Sequence, residues 1–331
     1  MTDFLSADWL GTPAWFWLVF LVIVIALTAF DLGVLNKEDR EMGVAESLKL
    51  SAFYIGIAML FGGWIWFERG PEPGMQYFTG YFIEKALSID NVFVISLIFT
   101  YFSIPAKYQY RALLWGIMAV IVLRGLMIAG GAALVAEAYW VLYLFAAFLI
   151  VTGIRMFFTS DHDPDIGNNP AIRWISRHMR VTRELHGHKF LVRTPSEKRG
   201  GRMVLAATPL LLALVVINIA DLVFAIDSVP AIFAITTDTF IVYTSNIMAI
   251  LGLRALYFAL AAMVHRFEYL KYALAAVLVF IGSKILVSDF ILGGAKFPPV
   301  LSLGVTLALI GAGIGYSLWK TRGEEMVKPP E

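Results

Sequence analysis

Two hydrophobic segments of the chain each carry a pair of carboxylates six residues apart. They are Glu84 and Asp90 in IEKALSIDNVFVI, and Asp221 and Asp227 in ADLVFAIDSVPAI. An ionised side chain at the centre of a membrane helix costs about 2.5–3.5 kcal/mol, so four without partners would cost on the order of 10 kcal/mol. Acids in such segments therefore predict either a binding function or a set of charge partners.

Helical geometry places further polar residues beside these acids, because steps of three, four and seven residues return to one face of a helix. The two polar stripes are Tyr81, Glu84, Ser88 and Asn91, and Asn218, Asp221, Ala225 and Ser228. Asp90 and Asp227 lie about 120° from these stripes in an ideal helix. Either the helix is unwound there, for which Pro230 is a signal in the second segment, or each segment presents two polar faces.

Carboxylate, amide and hydroxyl oxygens suit a hard divalent cation such as magnesium, calcium or manganese, whereas zinc and copper favour His or Cys. The predicted ligands are Glu84, Asp90, Asp221, Asp227, Asn91, Asn218 and Ser228. Clustered carboxylates would hold protons when the site is empty and release them as a cation enters. The pattern predicts a proton–cation exchange site and no resident cofactor.

Composition indicates an all-α polytopic membrane protein, a single membrane domain over residues 1–331, since 59% of the residues are hydrophobic and 15% are charged. The absence of cysteine excludes disulfides and thiol chemistry. Apolar runs predict nine membrane helices, at 14–32, 47–67, 76–102, 108–134, 138–158, 203–233, 239–264, 267–291 and 298–320.

Basic residues predict the orientation of these helices. Alternate loops hold nearly all the Lys and Arg, nine of them in 159–202, while the opposite loops hold only Arg69 and Lys296. Positive residues favour the cytoplasmic side, which predicts an N-terminus outside and a C-terminus inside. Four basic residues fall within the spans as expected charge partners or gating groups: Lys85, Arg124, Arg254 and Lys284. Alternatively, they form purely structural ion pairs with the acids.

The chain contains an internal repeat. LSIDNV (87–92) aligns with FAIDSV (224–229), and IMAVIVLRGL (117–126) aligns with IMAILGLRAL (247–256), which superposes Arg124 on Arg254. Helices three to five (76–158) therefore repeat as helices six to eight (203–291), and because three is odd, the second copy is predicted to be inverted in the membrane. Inverted repeats are typical of secondary transporters, with the substrate near the membrane midplane at the repeat interface.

The strings EKALSIDNVFV, DLVFAIDSVPAIFAIT and SNIMAILGLRALYF resemble the TerC/Alx family of bacterial integral membrane proteins, over about residues 31–290. The resemblance implies a multi-helix inner-membrane protein linked to manganese export, alkaline response and, by name, tellurium resistance. It maps the family's intramembrane acids onto Glu84, Asp90, Asp221 and Asp227. One departure is Asn218, where Alx-like members carry an acid.

The loop 159–202 is predicted to be a cytoplasmic basic loop with an amphipathic helix that begins at Asn169-Pro170, followed by a flexible linker from Thr194 to Arg202. The sequence as a whole predicts a non-enzymatic secondary transporter that exports manganese(II), with protons as the exchanged ion and membrane lipids as its surroundings. A calcium or other divalent-cation exchanger and a membrane scaffold for metal delivery or tellurium resistance stay open. An intramembrane aspartyl protease is disfavoured, since neither aspartate lies in a Gly-x-Gly-Asp segment.

Overall fold

The computed structural model describes residues 6–34, 43–158, 180–182, 185–196, 202–261, 267, 269–292 and 297–321, and most of these residues are helical. The helices are α1 Ala14–Val34, α2 Val44–Arg69, α3 Pro71–Tyr101, α4 Ala106–Glu137, α5 Val141–Phe158, α6 Pro209–Phe233, α7 Thr239–Leu251, α8 Leu253–Ala261, α9 Leu270–Leu286 and α10 Pro299–Thr321. A π-helical turn, Val287–Ile291, extends α9. The predicted all-α polytopic membrane fold is confirmed.

Short strands form two small sheets. β1 (Asp8–Trp9) pairs with β2 (Thr12–Pro13), and β3 (Arg180–Val181), β4 (Leu191–Ser196) and β5 (Arg202–Ala207) form a three-stranded sheet in the order β3-β5-β4. Two predictions were therefore wrong. The sixth membrane helix begins at Pro209 rather than 203, and both ends of the predicted linker are paired strands. The predicted amphipathic helix lies outside the described residues.

Within the described part of the chain, seven helices are long and apolar enough to cross a membrane, or eight if α7 and α8 count as one broken span. Helix α3 is not among them, although its 31 residues exceed the roughly 20 that a bilayer requires. Every 18-residue stretch of α3 contains Glu84, Lys85 and either Glu72 or Asp90. With α3 included, the helices correspond one for one to the nine predicted segments.

The interruption in the helices is not where proline predicted it. Helix α6 continues through Pro230 to Phe233, and α3 is continuous past Asp90, so the unwound alternative was wrong. Pro230 lies only one turn before the helix end, where few backbone hydrogen bonds are lost. The break is at Gly252, where α7 and α8 meet at a bend of 42°.

Packing between the two repeats is reciprocal. A Cβ at Gly153 on α5 would lie 2.7 Å from the carbonyl oxygen of Ala275 on α9, and a Cβ at Gly282 on α9 would lie 2.7 Å from that of Ala146 on α5. In the repeat alignment Gly153 corresponds to Gly282 and Ala146 to Ala275. Helix α3 likewise packs on α7, and α4 packs on α6. Such exchange of partners is expected of a two-fold relation, and the inversion itself stays a prediction.

Candidate functional site

Two of the predicted acids, one from each repeat, meet at the guanidinium of Arg124 on α4. Nε and Nη2 of Arg124 donate to the two carboxylate oxygens of Asp221 on α6, each at 3.1 Å. Its Nη1 donates to Oε1 of Glu84 on α3 and to Oγ of Ser228 at 3.2 Å. The side chains of Arg124 and Glu84 are 1% exposed and that of Asp221 is 12% exposed, so the cluster lies inside the helix bundle.

Asn246 completes this cluster, and the sequence did not single it out. Its Oδ1 accepts from Nη1 of Arg124 at 3.1 Å, and its Nδ2 donates to Oε2 of Glu84 at 3.0 Å. Asn246 is on α7. This helix approaches α3 closely at Gly80, which has no side chain: a Cβ there would lie 2.8 Å from Oγ of Ser245. The signal that could have revealed it is a buried amide next to a serine in the otherwise apolar run IVYTSNIMAI.

The electrostatics of the cluster follow from its members. One guanidinium and two carboxylates give a formal charge of −1 inside a poorly solvated bundle, where a charge without partners is costly. All three guanidinium nitrogens donate to side-chain oxygens of the cluster, as a buried arginine requires. Arg124 thus occupies the position where the two carboxylates would hold a cation.

Two buried oxygen atoms on the same two helices have no hydrogen-bond partner among the described residues. They are Oδ1 of Asn218, a predicted ligand one turn from Asp221, and Oγ of Ser88, which lies one turn from Glu84 on its polar stripe. Asn218 donates its Nδ2 to the carbonyl of Leu214 at 2.8 Å. Both oxygens are available to a ligand without loss of an existing hydrogen bond. Asn91, another predicted ligand, is buried on α3.

The second acids of the two pairs are Asp90 and Asp227. The side chain of Asp90 lies outside the described part of the structure. Asp227 is half-buried on α6, and no hydrogen bond or ion pair links its described side chain to Arg124, Glu84 or Asp221. Among the described residues no group of three or more His, Asp or Glu side chains is placed to hold a metal ion.

The other predicted charge partners contact different groups. Nζ of Lys85 donates to the carbonyl of Ala249 at 3.1 Å, in the last turn of α7 before the bend. A positive charge is favourable there because the C-terminus of a helix is the negative end of its dipole. Nζ of Lys284 donates to Oγ of Ser302 at 3.3 Å. Of the four basic residues, Arg124 alone contacts a predicted ligand carboxylate in the described part of the chain.

Arg254 forms a separate charged centre with Asp31 of α1. The two side chains form an ion pair, and the hydroxyl of Tyr54 donates to Oδ1 of Asp31. Tyr110 donates its hydroxyl to the backbone carbonyl of Asp31 at 3.1 Å, and its ring centroid is 4.3 Å from the guanidinium carbon of Arg254. Asp31 therefore neutralises a buried arginine.

A polar cavity of about 280 Å³ opens between the start of α3, the end of α6, and helices α9 and α10. Its lining includes Glu72, Thr236, Lys284, Asp289 and Ser302. Oδ2 of Asp289, in the π-helical turn, has no hydrogen-bond partner among the described residues. All these helix ends lie on the side that the distribution of basic residues assigns to the exterior.

Continuous apolar helices and a buried charged cluster define an integral membrane protein. A family model described as "Integral membrane protein TerC family" matches residues 69–325. The chain belongs to this family.

Curated relatives match nearly the whole chain. It is 45% identical over 312 residues to "Uncharacterized membrane protein STKORF319" of Myxococcus xanthus, covering 94% of each chain. It is 47% identical over 302 residues to an uncharacterised membrane protein of Rickettsia felis, covering 91% of this chain and 97% of the relative. It is 40% identical over 328 residues to "Putative membrane-bound redox modulator Alx" of Escherichia coli, covering 95% and 98%. No solved structure matches.

Proposed function

We propose that the protein exports manganese(II) from the cytoplasm in exchange for protons, through a site centred on Glu84 and Asp221. The observation that supports this proposal most is that one carboxylate from each repeat, Glu84 or Asp221, accepts a hydrogen bond from the same arginine, Arg124. Ionisable groups inside a membrane bundle typically line ion pathways. The predicted ligand set adds Asp90, Asp227, Asn91, Asn218 and Ser228.

Arg124 has a specific role in this proposal. In the described conformation its guanidinium donates hydrogen bonds to both carboxylates, so a metal ion can bind both only after the guanidinium moves away. The protein then exchanges a tethered cation for a mobile one, and protons are the alternative neutralising ions on the return step. The unpartnered oxygens of Ser88 and Asn218 lie one helical turn from the carboxylates and supply neutral ligands for the entering ion.

The proposed orientation follows the basic residues: N-terminus outside and C-terminus inside the cytoplasmic membrane. In this orientation the Arg254–Asp31 centre lies toward the cytoplasm and the 280 Å³ cavity lies toward the exterior. The described conformation then has a buried ion pair toward the cytoplasm and a cavity toward the exterior. Export requires alternation of these two sides around the Arg124 cluster.

Flux in proteoliposomes tests the proposal. An imposed pH gradient should drive manganese against its concentration difference, and manganese flux should change the internal pH in the opposite sense. Glu84→Gln and Asp221→Asn should abolish this flux, while Asp90→Asn and Asp227→Asn should weaken manganese binding steeply. Glu137→Gln, at the exposed end of α4, is the matched control and should transport normally.

Two results would overturn parts of the proposal. Wild-type rates and affinities in Glu84→Gln and Asp221→Asn would show that the site is elsewhere. Manganese flux that ignores both the pH gradient and a proton ionophore would exclude proton exchange. Calcium competing better than manganese would favour the general divalent-cation exchanger.

One observation favours a second candidate, a membrane scaffold without transport. Arg124 satisfies both carboxylates, as a static structural ion pair would. Absence of any metal-dependent flux in a folded, correctly reconstituted protein would support this candidate. The Alx relative is named a membrane-bound redox modulator, but thiol–disulfide chemistry is excluded for this chain because it has no cysteine.

A further inference from the structure

Lys284 is a buried cation without a counter-ion. It lies on α9 and is 9% exposed. Its Nζ donates to Oγ of Ser302 at 3.3 Å, and no ion pair joins it to a carboxylate in the described part of the chain. Arg124 and Arg254, by contrast, each contact at least one carboxylate. Because an unpaired charge is costly inside a membrane bundle, a lysine in this position indicates a function.

The 280 Å³ cavity that Lys284 lines is close to the Arg124 cluster. Two helices pass from the lining of the cavity into the cluster. On α3, Thr79 lines the cavity and Glu84 follows it by five residues. On α6, Phe233 lines the cavity and Ser228 precedes it by five residues. Since five residues of helix span about 7 Å, the cavity lies between the cluster and the side that is the exterior in the proposed orientation.

The charges of this cavity are layered. Glu72, at the start of α3, is exposed, and Asp289, in the π-helical turn, is half-buried. Lys284 is the most buried of the three charged residues in the described lining. It precedes Asp289 by five residues, which places it about 7 Å deeper along α9. The mouth of the cavity is therefore negative, and its floor is positive.

A fixed positive charge on the route of an ion excludes cations, as it does in membrane pores. The repulsion is twice as strong for a divalent as for a monovalent cation, because the Coulomb energy is proportional to the charge. We propose that Lys284 makes the floor of this cavity repel cations, and thereby promotes release of the exported divalent cation and opposes its rebinding from the exterior. The role in release rests on the proposed export function, whereas the repulsion can be measured without transport.

Modification of a single introduced cysteine measures this repulsion. The chain has no cysteine of its own, so the introduced thiol is the only one that reacts. Ala234→Cys places it in the cavity lining, in the same apolar cluster as Ile285. Thr237→Cys places it at an exposed lining position and is the control. The probes are two methanethiosulfonates of similar size, the trimethylammonium-ethyl cation and the sulfonatoethyl anion, applied to the full-length protein in detergent.

The ratio of the anion's reaction rate to the cation's should be about tenfold higher in Ala234→Cys than in Thr237→Cys. Adding Lys284→Met should remove this difference, and adding Lys284→Arg should keep it. Equal ratios at the two positions would overturn the proposal, and this comparison needs no variant of Lys284. An unchanged ratio in a folded Lys284→Met protein would also overturn it. So would a thiol at position 234 that reacts with neither reagent, because the repulsion requires an open cavity.

Manganese flux in proteoliposomes separates this proposal from the export function. Lys284→Met should lower the manganese concentration that half-saturates exchange from the cavity side by about tenfold, and should leave the value from the opposite side unchanged. An unaltered value on the cavity side would contradict the role in release. Absence of flux in the wild type, together with the expected thiol ratios, would contradict the export function and support the positive floor of the cavity.

Discussion

Arg124 and Arg254 occupy equivalent positions in the two repeated segments and are equally buried, yet they have different partners. Arg124 contacts two carboxylates, one from each repeat. Arg254 contacts one carboxylate, Asp31, from a helix outside the repeats. A repeated sequence has thus placed the same cation twice, and the surrounding helices have given the two copies different environments.

The number of satisfied donors distinguishes the two environments further. Every guanidinium nitrogen of Arg124 donates to a side-chain oxygen. Nε and Nη1 of Arg254 have no hydrogen-bond partner among the described residues, and the ring of Tyr110 covers the guanidinium instead. The first environment is rich in oxygen and suits ion exchange, while the second is aromatic and suits a static contact. If the proposed ion exchange takes place, the environment of Arg124 and not that of Arg254 is where we expect it.

The largest expected effect is a difference in stability between Arg124→Gln and Arg254→Gln. Removing one partner of a buried ion pair costs about 3–5 kcal/mol, and Arg124→Gln leaves two carboxylates without a cation. Arg254→Gln leaves one, which keeps the hydrogen bond from Tyr54, so it should lower the melting temperature less. Thermal unfolding of the purified protein in detergent measures both.

A control is available at the surface. Lys49 on α2 is exposed, and surface substitutions usually change the free energy of unfolding by no more than about 0.5 kcal/mol. Lys49→Gln should therefore melt close to the wild type. An Arg254→Gln protein that is less stable than Arg124→Gln would show that the two-carboxylate cluster is not the stronger centre.

Next in size is an effect that should be equal in the two repeats. Gly153→Ala and Gly282→Ala each force a Cβ against a backbone carbonyl of the opposite helix, and overpacking of this kind costs about 1–3 kcal/mol. The helix contact is reciprocal, so the two melting temperatures should fall by similar amounts. A clear difference between them would mean that the asymmetry of the arginines extends to the packing, and Gly63→Ala, with open space at its Cβ, is the control.

Much of the fold was predictable because bilayer insertion requires long apolar runs that the sequence displays directly. The segments 14–32 and 298–320 agree with α1 and α10 within two residues. The start of α6 was not predictable in this way, since RMVLAA is apolar enough to extend a helix but pairs with β4, a contact set by a distant segment. The sequence predicted a helix interruption at Pro230, whereas the structure bends at Gly252. Whether a helix bends at such a residue depends on how the neighbouring helices pack against it, which the residue type alone does not reveal.

The candidate site was predictable to the level of residue type but not of partner. Repeat alignment identified Glu84, Asp221 and Arg124 as related buried charges, and the structure brings these three together. The alignment also superposes Arg254 on Arg124, but the identity of its partner, Asp31 of α1, could not be read from the repeat. Asn246 was missed because a single amide has no pattern, and its role depends on two other helices.

The smallest expected effect separates the hydroxyl groups around Asp31. Tyr54→Phe removes a donor to a carboxylate, worth about 1.5–3 kcal/mol, and Tyr110→Phe removes a donor to a backbone carbonyl, worth about 0.5–1.5 kcal/mol. Tyr110→Phe should therefore melt closer to the wild type, also because its ring still covers Arg254. Neither variant should change manganese affinity in a binding titration, since both hydroxyls belong to the Arg254 centre. A weaker affinity in either variant would mean that the two arginine centres form one functional site, and the contrast between them would no longer hold.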